Sequence, residues 1–410
     1  MQDTELYQHL LGVPAPWRVV RVELSVAEGS VDVFVEQPNK ELPCPTCGAA
    51  SPVHDHTPSR SWRHLDSCQF RTMLHARPPR VRCKEHGIHQ ATLPWAEARS
   101  RFTAMFERFA IDMLRRTSIS GACEILRVSW DEAFGIMQRA VARGLLRREQ
   151  RPLRYLGVDE KAIRKGHKYF TIVSDLDASA VLWVGEERKR ATLDKFWETL
   201  TSEQRAQVQA VAMDMWPAYL TSTTEHLPDG EDKVVFDRFH LMQHANKCVD
   251  DVRRNEHFAL LGEGDATLAK TRWMWLYAQE NVPAKDAERF AELRRITLST
   301  GKAWMLKEDL RWLWRQRDAT VGKTFLTRWL RWAKRSKLKP VLKLAATIKS
   351  HLPNILTYFA HRITNAASES VNAIIDMVKR RANGFRNVSN FKAAIYFHCG
   401  GLDLYPASAS

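Results

Sequence analysis

The pattern of hydrophobic and polar positions along residues 155–185 shows three short, mostly apolar runs that are separated by turn residues. Such runs predict three β-strands, with Asp159 in the middle of the first. A further apolar run, residues 210–216, contains Asp214 and stops at Pro217. A carboxylate inside an apolar strand is costly to bury unless it is paired or binds a cation. The two aspartates therefore suggest a shared cation site.

The surrounding pattern predicts an α/β sheet of mixed direction. Residues 192–200 have helical spacing, and residues 233–236 form another short apolar strand that is followed by Asp237 and His240. The order is then three strands, a helix, a strand, a helix and a strand. We expect both strand aspartates to reach the same end of this sheet.

Residues 1–95 combine strand-like alternation with residues suited to zinc. The alternating stretches are 19–24, 30–35 and 69–75, and the predicted zinc ligands are Cys44, Cys47, Cys83 and His86. Two closely spaced pairs of this kind make a closed tetrahedral site. We predict a small β-rich module with one structural zinc ion. Residues that could replace one of these ligands are His54, His56, His64, Cys68, His75 and His89.

The segment after Pro94 predicts helices. Residues 117–126 form a short helix, a two-residue link follows, and Ser129 with Glu132 has the pattern of a capping box. Two helices joined by such a turn are the outline of a helix-turn-helix DNA-binding domain. An ordinary helical hairpin is the alternative, because the positive charge of the second helix, including Arg139 and Arg143, comes after an acidic first turn.

Residues 247–360 predict a helical insertion, which contains seven of the 14 tryptophans. The net charge of the whole chain is +15, and residues 319–368 contribute ten Lys and Arg residues and no Asp or Glu. Counterion release drives such clusters onto phosphates, so a nucleic-acid partner is expected. A solvated helix face is the alternative.

A third carboxylate follows the acid-free stretch. Glu369 lies near the start of a predicted helix and could complete a metal site with the two strand aspartates. Asp376, two turns further along nearly the same face, is its main rival. Other acids in competition for the site are Glu160, Asp175 and Asp177.

The length and composition indicate a folded protein of two to four domains, since the chain has 410 residues of which 44% are hydrophobic. No run of 18 apolar residues occurs, and the N-terminus lacks a signal pattern. We expect no membrane association and a cytoplasmic, nucleoid-associated location.

The order of the motifs is more specific than any one of them. The motifs are Cys-x-x-Cys with residues 62–66, the helix-turn-helix, and residues 157–160, 213–216, 236–240, 369–372 and 379–386. Together they resemble the bacterial insertion-sequence transposases of the ISL-three family, over nearly the whole chain. The chain departs from the family pattern at Asp376, where a basic residue is expected, and at His86, where cysteine is also common.

The resemblance implies a DDE transposase with a ribonuclease H-like core. It implies that Asp159, Asp214 and Glu369 are catalytic and bind two Mg²⁺ (or Mn²⁺) ions, and that Asp237 and His240 lie close to the site. Such an enzyme hydrolyses the ends of the element to 3′-OH groups and joins them to target DNA. Its partners are the terminal inverted repeats, target DNA and a second copy of the chain, as a homodimer or a higher assembly on DNA.

The resulting organisation is a multidomain α/β protein with a large all-helical insertion. The predicted segments are 1–95 (zinc module), 96–150 (helix-turn-helix), 151–246 (first part of the core), 247–360 (basic insertion) and 361–410 (last part of the core). The candidate DNA contacts are Arg139, Arg143, Lys334, Arg335, Lys379, Arg380, Arg381 and Arg386.

Two functions from other classes remain open at this point. One is a DNA-binding regulator with an inert core, although retention of all three carboxylates argues against it. The other is a metal-dependent nuclease or resolvase, which would cut DNA without joining it.

Overall fold

The computed structural model describes residues 2–164 and 168–407. Within them the strands are β1 Arg18–Ser25, β2 Ser30–Glu36, β3 Glu41–Pro43, β4 Ala50–His56, β5 Arg60–Arg63, β6 Arg71–Ala76, β7 Pro79–Cys83, β8 Gly87–Gln90, β9 Tyr155–Arg164, β10 Lys168–Asp175, β11 Ala180–Glu186, β12 Ala210–Met213 and β13 Val234–Phe236.

The helices dominate the second half of the chain. They are α1 Asp3–Leu10, α2 Ala104–Arg116, α3 Ile119–Leu126, α4 Trp130–Leu146, α5 Arg190–Glu198, α6 Ser202–Gln207, α7 Pro217–His226, α8 Gly230–Lys233, α9 Arg238–Gly262, α10 Arg272–Leu276, α11 Ala284–Arg295, α12 Ser299–Arg311, α13 Ala319–Arg335, α14 Lys339–Ser350, α15 Leu352–Leu356, α16 Tyr358–His361, α17 Ala366–Arg381 and α18 Val388–Cys399. Short 3₁₀ helices span Gln279–Asn281 and Trp312–Arg315.

The chain divides into two compact units. The first unit comprises the described residues of Met1–Glu149, Val378–His398 and Leu402–Ser410, and the second comprises those of Gln150–Met377 and Cys399–Gly401. The five-segment division made from the sequence remains a prediction. The mixed α/β character, with a β-rich N-terminal region and a helical C-terminal part, agrees with the sequence-based expectation.

Two four-stranded sheets form the N-terminal part of the first unit, with strand orders β1-β2-β6-β5 and β3-β4-β7-β8. The first sheet has a core of its own in which Val33, Trp62 and Leu74 are fully buried. The second sheet buries a much smaller apolar cluster of Leu42, Val81 and Ala91. Apolar burial therefore contributes far less to the second sheet.

The helix-turn-helix outline is formed by α3 and α4, and local chemistry fixes its ends. The Ser118 hydroxyl accepts a hydrogen bond from Gly121 N at the start of α3, and Arg127 ends that helix in the left-handed region at φ 54°. The Ser129 side chain and Glu132 form the predicted capping box at the start of α4. Arg127 and Val128 are therefore the two residues between the end of α3 and Ser129, the N-cap of α4.

A five-stranded sheet with the order β11-β10-β9-β12-β13 forms the centre of the second unit. Strand β10 is antiparallel to β9 and β11, whereas β12 is parallel to β9 and β13. The strand predicted over residues 210–216 ends at Met213. It ends there because Trp216 N turns back to the Asp214 carbonyl at 2.7 Å and Pro217 opens α7. Asp214 thus lies just beyond the strand.

The helical part of the second unit has a core rich in aromatic side chains. Trp275, Trp304 and Trp329 are buried, while Trp273 and Trp312 are 60% and 53% exposed. The buried rings meet edge to face, as Trp275 does with Trp304 at 6.5 Å. Across the described ranges, no helix has both the length and the apolar character needed to span a membrane.

Candidate active site and zinc centre

Three carboxylates lie side by side on adjacent strands, with Asp159 within β9 and with Asp214 and Asp237 directly after β12 and β13. Val158 of β9 pairs with Met213 of β12, so the next residues, Asp159 and Asp214, are neighbours. Met213 in turn pairs with Phe236 of β13, which places Asp237 beside Asp214. The three strands are parallel, and Asp214 and Asp237 follow the carboxyl ends of β12 and β13, the edge of an α/β sheet at which ligands usually bind.

His240 binds two of these carboxylates. Its Nδ1 atom lies 2.6 Å from Asp214 Oδ1 and 3.0 Å from Asp237 Oδ2. Burial opposes a charge on the imidazole, but the hydrogen bonds and negative charges of the two aspartates outweigh it and raise the pKa of His240 to about 10. The ring is therefore an imidazolium at neutral pH. It offsets negative charge that would otherwise be buried without a partner.

The carboxylate of Asp159 is held by two hydrogen bonds. Its Oδ1 accepts from Glu160 N at 2.7 Å and its Oδ2 accepts from Asn372 Nδ2 at 2.6 Å. Burial, together with the charge of Asp214, raises its pKa to about 6. Asp214 Oδ1 is buried and contacts the His240 ring at 2.6 Å, but this ion pair lacks the alignment of a hydrogen bond. Oxygen atoms in this state fit the ligands of a hard divalent cation.

Helix α17 binds to β9 through alternate strand positions. Gly157 allows close contact, because a Cβ atom there would lie 2.2 Å from Ser368 Oγ. Asp159 accepts the hydrogen bond from Asn372, and Lys161 Nζ lies 2.7 Å from Asp376 Oδ2. Strand residues 157, 159 and 161 share one face. Successive turns of α17 therefore meet successive residues on one side of β9.

Glu369 lies on the face of α17 that contacts β9, since it follows Asn365 by four residues and precedes Asn372 by three. Its side chain is exposed. Within residues 2–164 and 168–407, the groups of three or more His, Cys, Asp or Glu ligands that lie within 4.8 Å are Cys44, Cys47, Cys83 with His86, and Asp214, Asp237 with His240. Asp159 and Glu369 belong to neither group. The catalytic role of Glu369 remains a prediction.

The competing acids are all engaged in ion pairs. The pairs are Asp376 with Lys161 at 2.7 Å, Asp175 with Arg151 at 2.7 Å, Asp177 with Arg154 at 3.2 Å and Glu160 with Arg188 at 3.0 Å.

Sequence reasoning assigned no role to Asn372, the direct partner of Asp159. Its position one turn after Glu369 was the available signal, because residues three apart share a helix face.

The predicted zinc ligands form a cluster with the dimensions of a tetrahedral zinc site. Cys47 Sγ lies 3.7 Å from Cys83 Sγ, which lies 3.6 Å from His86 Nδ1. Zn–S bonds of about 2.3 Å and Zn–N bonds of about 2.05 Å in a tetrahedron give S–S and S–N edges of about 3.8 and 3.6 Å. Cys44 completes the set. The hydrogen bond from His86 also lowers the pKa of the Cys83 thiol to about 6, toward the thiolate that binds metal.

Three of the six other candidate zinc ligands have partners elsewhere. The buried His64 binds Thr103 Oγ1 at 2.8 Å, His75 binds Asp32 at 2.6 Å, and His89 binds the His86 carbonyl at 2.5 Å. None of these three belongs to the four-residue cluster.

Comparison with known proteins identifies the family. A model described as a transposase, for the ISL3 (ISL-three) family, matches residues 156–395, which is more than half of the chain. The chain belongs to the ISL3 family of insertion-sequence transposases. A model for the zinc-finger of transposase IS204/IS1001/IS1096/IS1165 matches residues 40–86, and one for the helix-turn-helix domain of transposase family ISL3 matches residues 91–141.

Two relatives match this ISL3 transposase almost from end to end. The transposase for insertion sequence element IS1001 of Bordetella parapertussis is 26% identical over 396 residues, covering 95% of this chain and 97% of the relative. The transposase for insertion sequence element IS1557 of Mycobacterium tuberculosis is 27% identical over 417 residues, covering 94% and 93%. The matched zinc-finger range contains all four ligands, so the family comparison and the geometry agree on a structural zinc site.

In the helix-turn-helix of this ISL3 transposase, two arginines that were predicted to contact DNA form ion pairs with other residues of the first unit. Arg143 is buried and lies 2.5 Å from Glu97 and 3.1 Å from Glu107. Arg139 lies 2.6 Å from Glu107. This geometry favours a role for both in joining α2 to α4. The candidates with exposed side chains are Lys334, Arg335, Arg380, Arg381 and Arg386, whereas Lys379 is half-buried.

Proposed function

We propose that this chain cleaves the DNA ends of its insertion sequence and joins them to target DNA by two-metal phosphodiester chemistry. The observation that carries the proposal is the side-by-side position of Asp159 and Asp214 on parallel strands, with the helix that bears Glu369 bound to Asp159 through Asn372. The family supplies the broader activity of a transposase.

We infer a ribonuclease H-like core from the sheet of the second unit. Its order β11-β10-β9-β12-β13, with β9–β11 antiparallel and β12 and β13 parallel to β9, is the arrangement expected for that fold. In such a core one carboxylate lies within the first strand, one follows the neighbouring parallel strand, and one lies on a late helix. The positions of Asp159, Asp214 and Glu369 support this inference.

The residues at this edge fit a pair of Mg²⁺ or Mn²⁺ ions. Carboxylate oxygens are the preferred ligands of hard cations, and the buried Asp214 Oδ1 lacks a well-aligned partner among the described residues. When bound, such ions would supply an activated nucleophile and stabilise the leaving oxygen. Asp159 would bind both ions, and Asp214 and Glu369 would each bind one.

The chain's own residues orient these ligands. Asn372 fixes the rotation of the Asp159 carboxylate, and the imidazolium of His240 holds Asp214 against Asp237. Water attacks the phosphodiester at the end of the element and breaks its P–O3′ bond, which leaves a 3′ hydroxyl on the element and a 5′ phosphate on the flanking strand. That hydroxyl then attacks a target phosphodiester in line, so a new P–O bond forms and the 3′ oxygen of the target strand leaves as a hydroxyl. Neither step requires a covalent bond between protein and DNA.

We assign recognition of the terminal inverted repeats to the zinc module and the helix-turn-helix. The exposed basic residues at 334, 335, 380, 381 and 386 would contact flanking or target DNA, because cations bind phosphates with little regard to sequence. Two ends must be processed together, so at least two copies of the chain would assemble on DNA.

A cleavage and joining assay tests this proposal. The substrate is a labelled duplex that carries the inverted repeat flanking the gene, mixed with a target plasmid and Mg²⁺. The parent protein should cleave and join, and Asp159→Asn, Asp214→Asn and Glu369→Gln should each lose at least about 100-fold in rate while still binding the duplex. Asp177→Asn removes an exposed carboxylate of the same unit and serves as the control.

The outcomes separate the possible activities. Cleavage without joining by the parent protein would indicate a nuclease, and binding without cleavage would indicate a regulator. Full activity of the Glu369→Gln variant would remove Glu369 from the site. Equal losses in Asp177→Asn would show that the assay reports folding rather than catalysis.

A further inference from the structure

An open groove lies beside the candidate active site, entirely within the second unit. Its volume is about 940 Å³, and the side chains along it include Phe239, Trp312, Arg238 and Arg315. Pockets of about 300–1,000 Å³ hold ligands of drug size, so a nucleotide fits.

One wall of the groove begins within the carboxylate cluster. Phe239 lies between Asp237 and His240, and its backbone N donates a hydrogen bond to Asp237 Oδ1 at 3.1 Å. The Phe239 ring stands edge-on to the His240 ring at 5.9 Å and 89°. A ligand in contact with Phe239 would therefore be adjacent to the residues that hold Asp214.

The aromatic side chains of the groove are not needed for the core. Phe239 and Trp312 are 51% and 53% exposed, whereas Trp275, Trp304 and Trp329 fill the interior of the same helical part. Half-exposed aromatic rings lose little by binding and gain by stacking on a flat apolar partner. Every nucleobase offers such a face once it is unstacked.

The charge of the groove complements a phosphate. Two acids line the groove, Glu280 and Glu308, and Arg311 forms an ion pair with each of them. Glu308 also pairs with Lys307. Arg315 lies over the Trp312 ring at 4.5 Å. Neither Arg238 nor Arg315 has an ion-pair partner in the part of the chain that the structure describes. These two cations therefore remain available to a DNA backbone.

We propose that this groove binds an unstacked nucleotide of the DNA strand next to the cleavage point, with the base against Phe239 and Trp312 and its phosphates near Arg238 and Arg315. The inference rests on the proposed function and extends it with a binding site for unpaired DNA. Bases in an intact duplex are stacked on both sides, so the rings of the groove can act only on a base that has left the stack.

The test compares single-stranded and duplex DNA on the full-length protein. Fluorescence anisotropy measures binding of a labelled 20-nucleotide oligo-dT strand and of a duplex of the same length, in Ca²⁺ without Mg²⁺. The variants are Phe239→Ala and Trp312→Ala, with Trp312→Phe to retain an aromatic ring. The matched control is Trp273→Ala, because Trp273 is equally exposed, carries Arg272 over its ring at 4.9 Å and lies outside the groove.

We expect Phe239→Ala and Trp312→Ala to weaken single-strand binding by roughly 10-fold and duplex binding by less than about 2-fold. Trp312→Phe and Trp273→Ala should remain close to the parent. Unchanged single-strand affinity in both alanine variants would overturn the proposal. So would equal losses for strand and duplex, which would indicate a surface for the duplex backbone, or an equal loss in Trp273→Ala.

A second readout separates this inference from the proposed function. A 2-aminopurine base in the single strand loses fluorescence when it stacks, so the parent should quench it and Trp312→Ala should not. Asp159→Asn should quench it as the parent does, because that variant lacks only the predicted metal ligand. If the parent protein quenches 2-aminopurine but does not cleave the labelled duplex, the proposed function is contradicted and the nucleotide-binding role of the groove is not. If it cleaves the duplex but does not quench 2-aminopurine, the role of the groove is contradicted and the proposed function is not.

Discussion

At the candidate active site, a side chain without a predicted catalytic role holds one of the predicted metal ligands in place. Asp159 is buried, and its Oδ2 accepts a hydrogen bond of 2.6 Å from Asn372. Hydrogen bonds of this kind orient metal ligands and favour their charged form. The Asn372 amide is thus the closest support of the carboxylate on which the proposed metal site depends.

Removal of that amide should weaken metal-dependent activity without unfolding the protein. We expect Asn372→Ala to reduce DNA cleavage by about 10- to 100-fold and to shift the Mg²⁺ dependence toward higher concentration. Titration of the cleavage rate with Mg²⁺ measures both effects. Asn354→Ala is the control, because Asn354 is a surface amide bonded to the Glu231 carbonyl. A lower rate at every Mg²⁺ concentration with an unchanged midpoint would contradict a role in metal binding.

His64 makes the stability of the first unit depend on pH. It is buried, and its Nδ1 lies 2.8 Å from the Thr103 hydroxyl, which also accepts a hydrogen bond from Phe106 N. Burial lowers the pKa of His64 to about 4. In the unfolded chain His64 binds a proton with a pKa near 6.5. The contribution of the neutral, buried imidazole to the free energy of unfolding is therefore complete above that pH and is lost as the pH falls toward 4.

The expected size of this effect is about 2 kcal/mol at pH 5. We expect His64→Gln to lose less thermal stability than the parent between pH 7.5 and pH 5, and His9→Gln, which changes an exposed histidine, to behave as the parent. Thermal unfolding followed by circular dichroism at the two pH values provides the measurement. A parent and a His64→Gln variant with the same pH dependence would show that His64 is not the titrating group.

At the scale of elements, the joint between β9 and α17 determines where Glu369 lies. Gly157, Asp159 and Lys161 on one strand face meet Ser368, Asn372 and Asp376 on one helix face. The closest approach is at Gly157, where no side chain separates the strand from the helix. The position of the helix relative to the sheet is therefore set by the smallest residue of the strand.

Substitution of Gly157 should displace this helix. A Cβ atom there would lie 2.2 Å from Ser368 Oγ and 2.8 Å from Leu176 Cδ2, so we expect Gly157→Ala to cost about 1–3 kcal/mol and to reduce cleavage. Urea unfolding and the cleavage rate provide the two measurements. Gly262→Ala is the control, because a Cβ atom there meets nothing within 4 Å. A fully active Gly157→Ala variant would contradict the importance of this joint.

Strands and helix ends were predictable from the sequence where they depend on residues that are close together along the chain. The three apolar runs in residues 155–185 match β9, β10 and β11, and Ser129 with Glu132 marks the start of α4. The contact between Asn372 and Asp159 was not predictable, because it joins residues 213 positions apart. The burial of Arg143 was also missed, since an arginine on a predicted helix gives no sign that Glu97 and Glu107 will enclose it.

At the scale of the whole molecule, the β3-β4-β7-β8 sheet depends on its metal. Among the described residues its apolar cluster consists of Leu42, Val81 and Ala91 with the partly buried Val53 packed against them, while the zinc ligands tie the Cys44–Cys47 turn to the β7–β8 turn. A structural zinc site contributes directly to folding free energy when so little apolar surface is buried.

We therefore expect one zinc ion per chain and local unfolding when it is removed. Cys47→Ala should abolish zinc binding and make residues 40–90 sensitive to protease, whereas His86→Cys should retain zinc. Metal analysis and limited proteolysis measure the two effects. Cys68→Ala, which changes an exposed cysteine outside the cluster, should keep the metal. Full zinc content in Cys47→Ala would contradict the ligand assignment.

The central claim is that Asp159, Asp214 and Glu369 together bind divalent cations at one end of the sheet. A crystal of the protein with Mn²⁺ and a DNA end, examined by anomalous scattering, tests this directly. The account predicts two manganese peaks within about 2.1–2.3 Å of carboxylate oxygens from all three residues. A manganese ion bound by Asp214, Asp237 and His240, with Glu369 remote from it, would contradict the account.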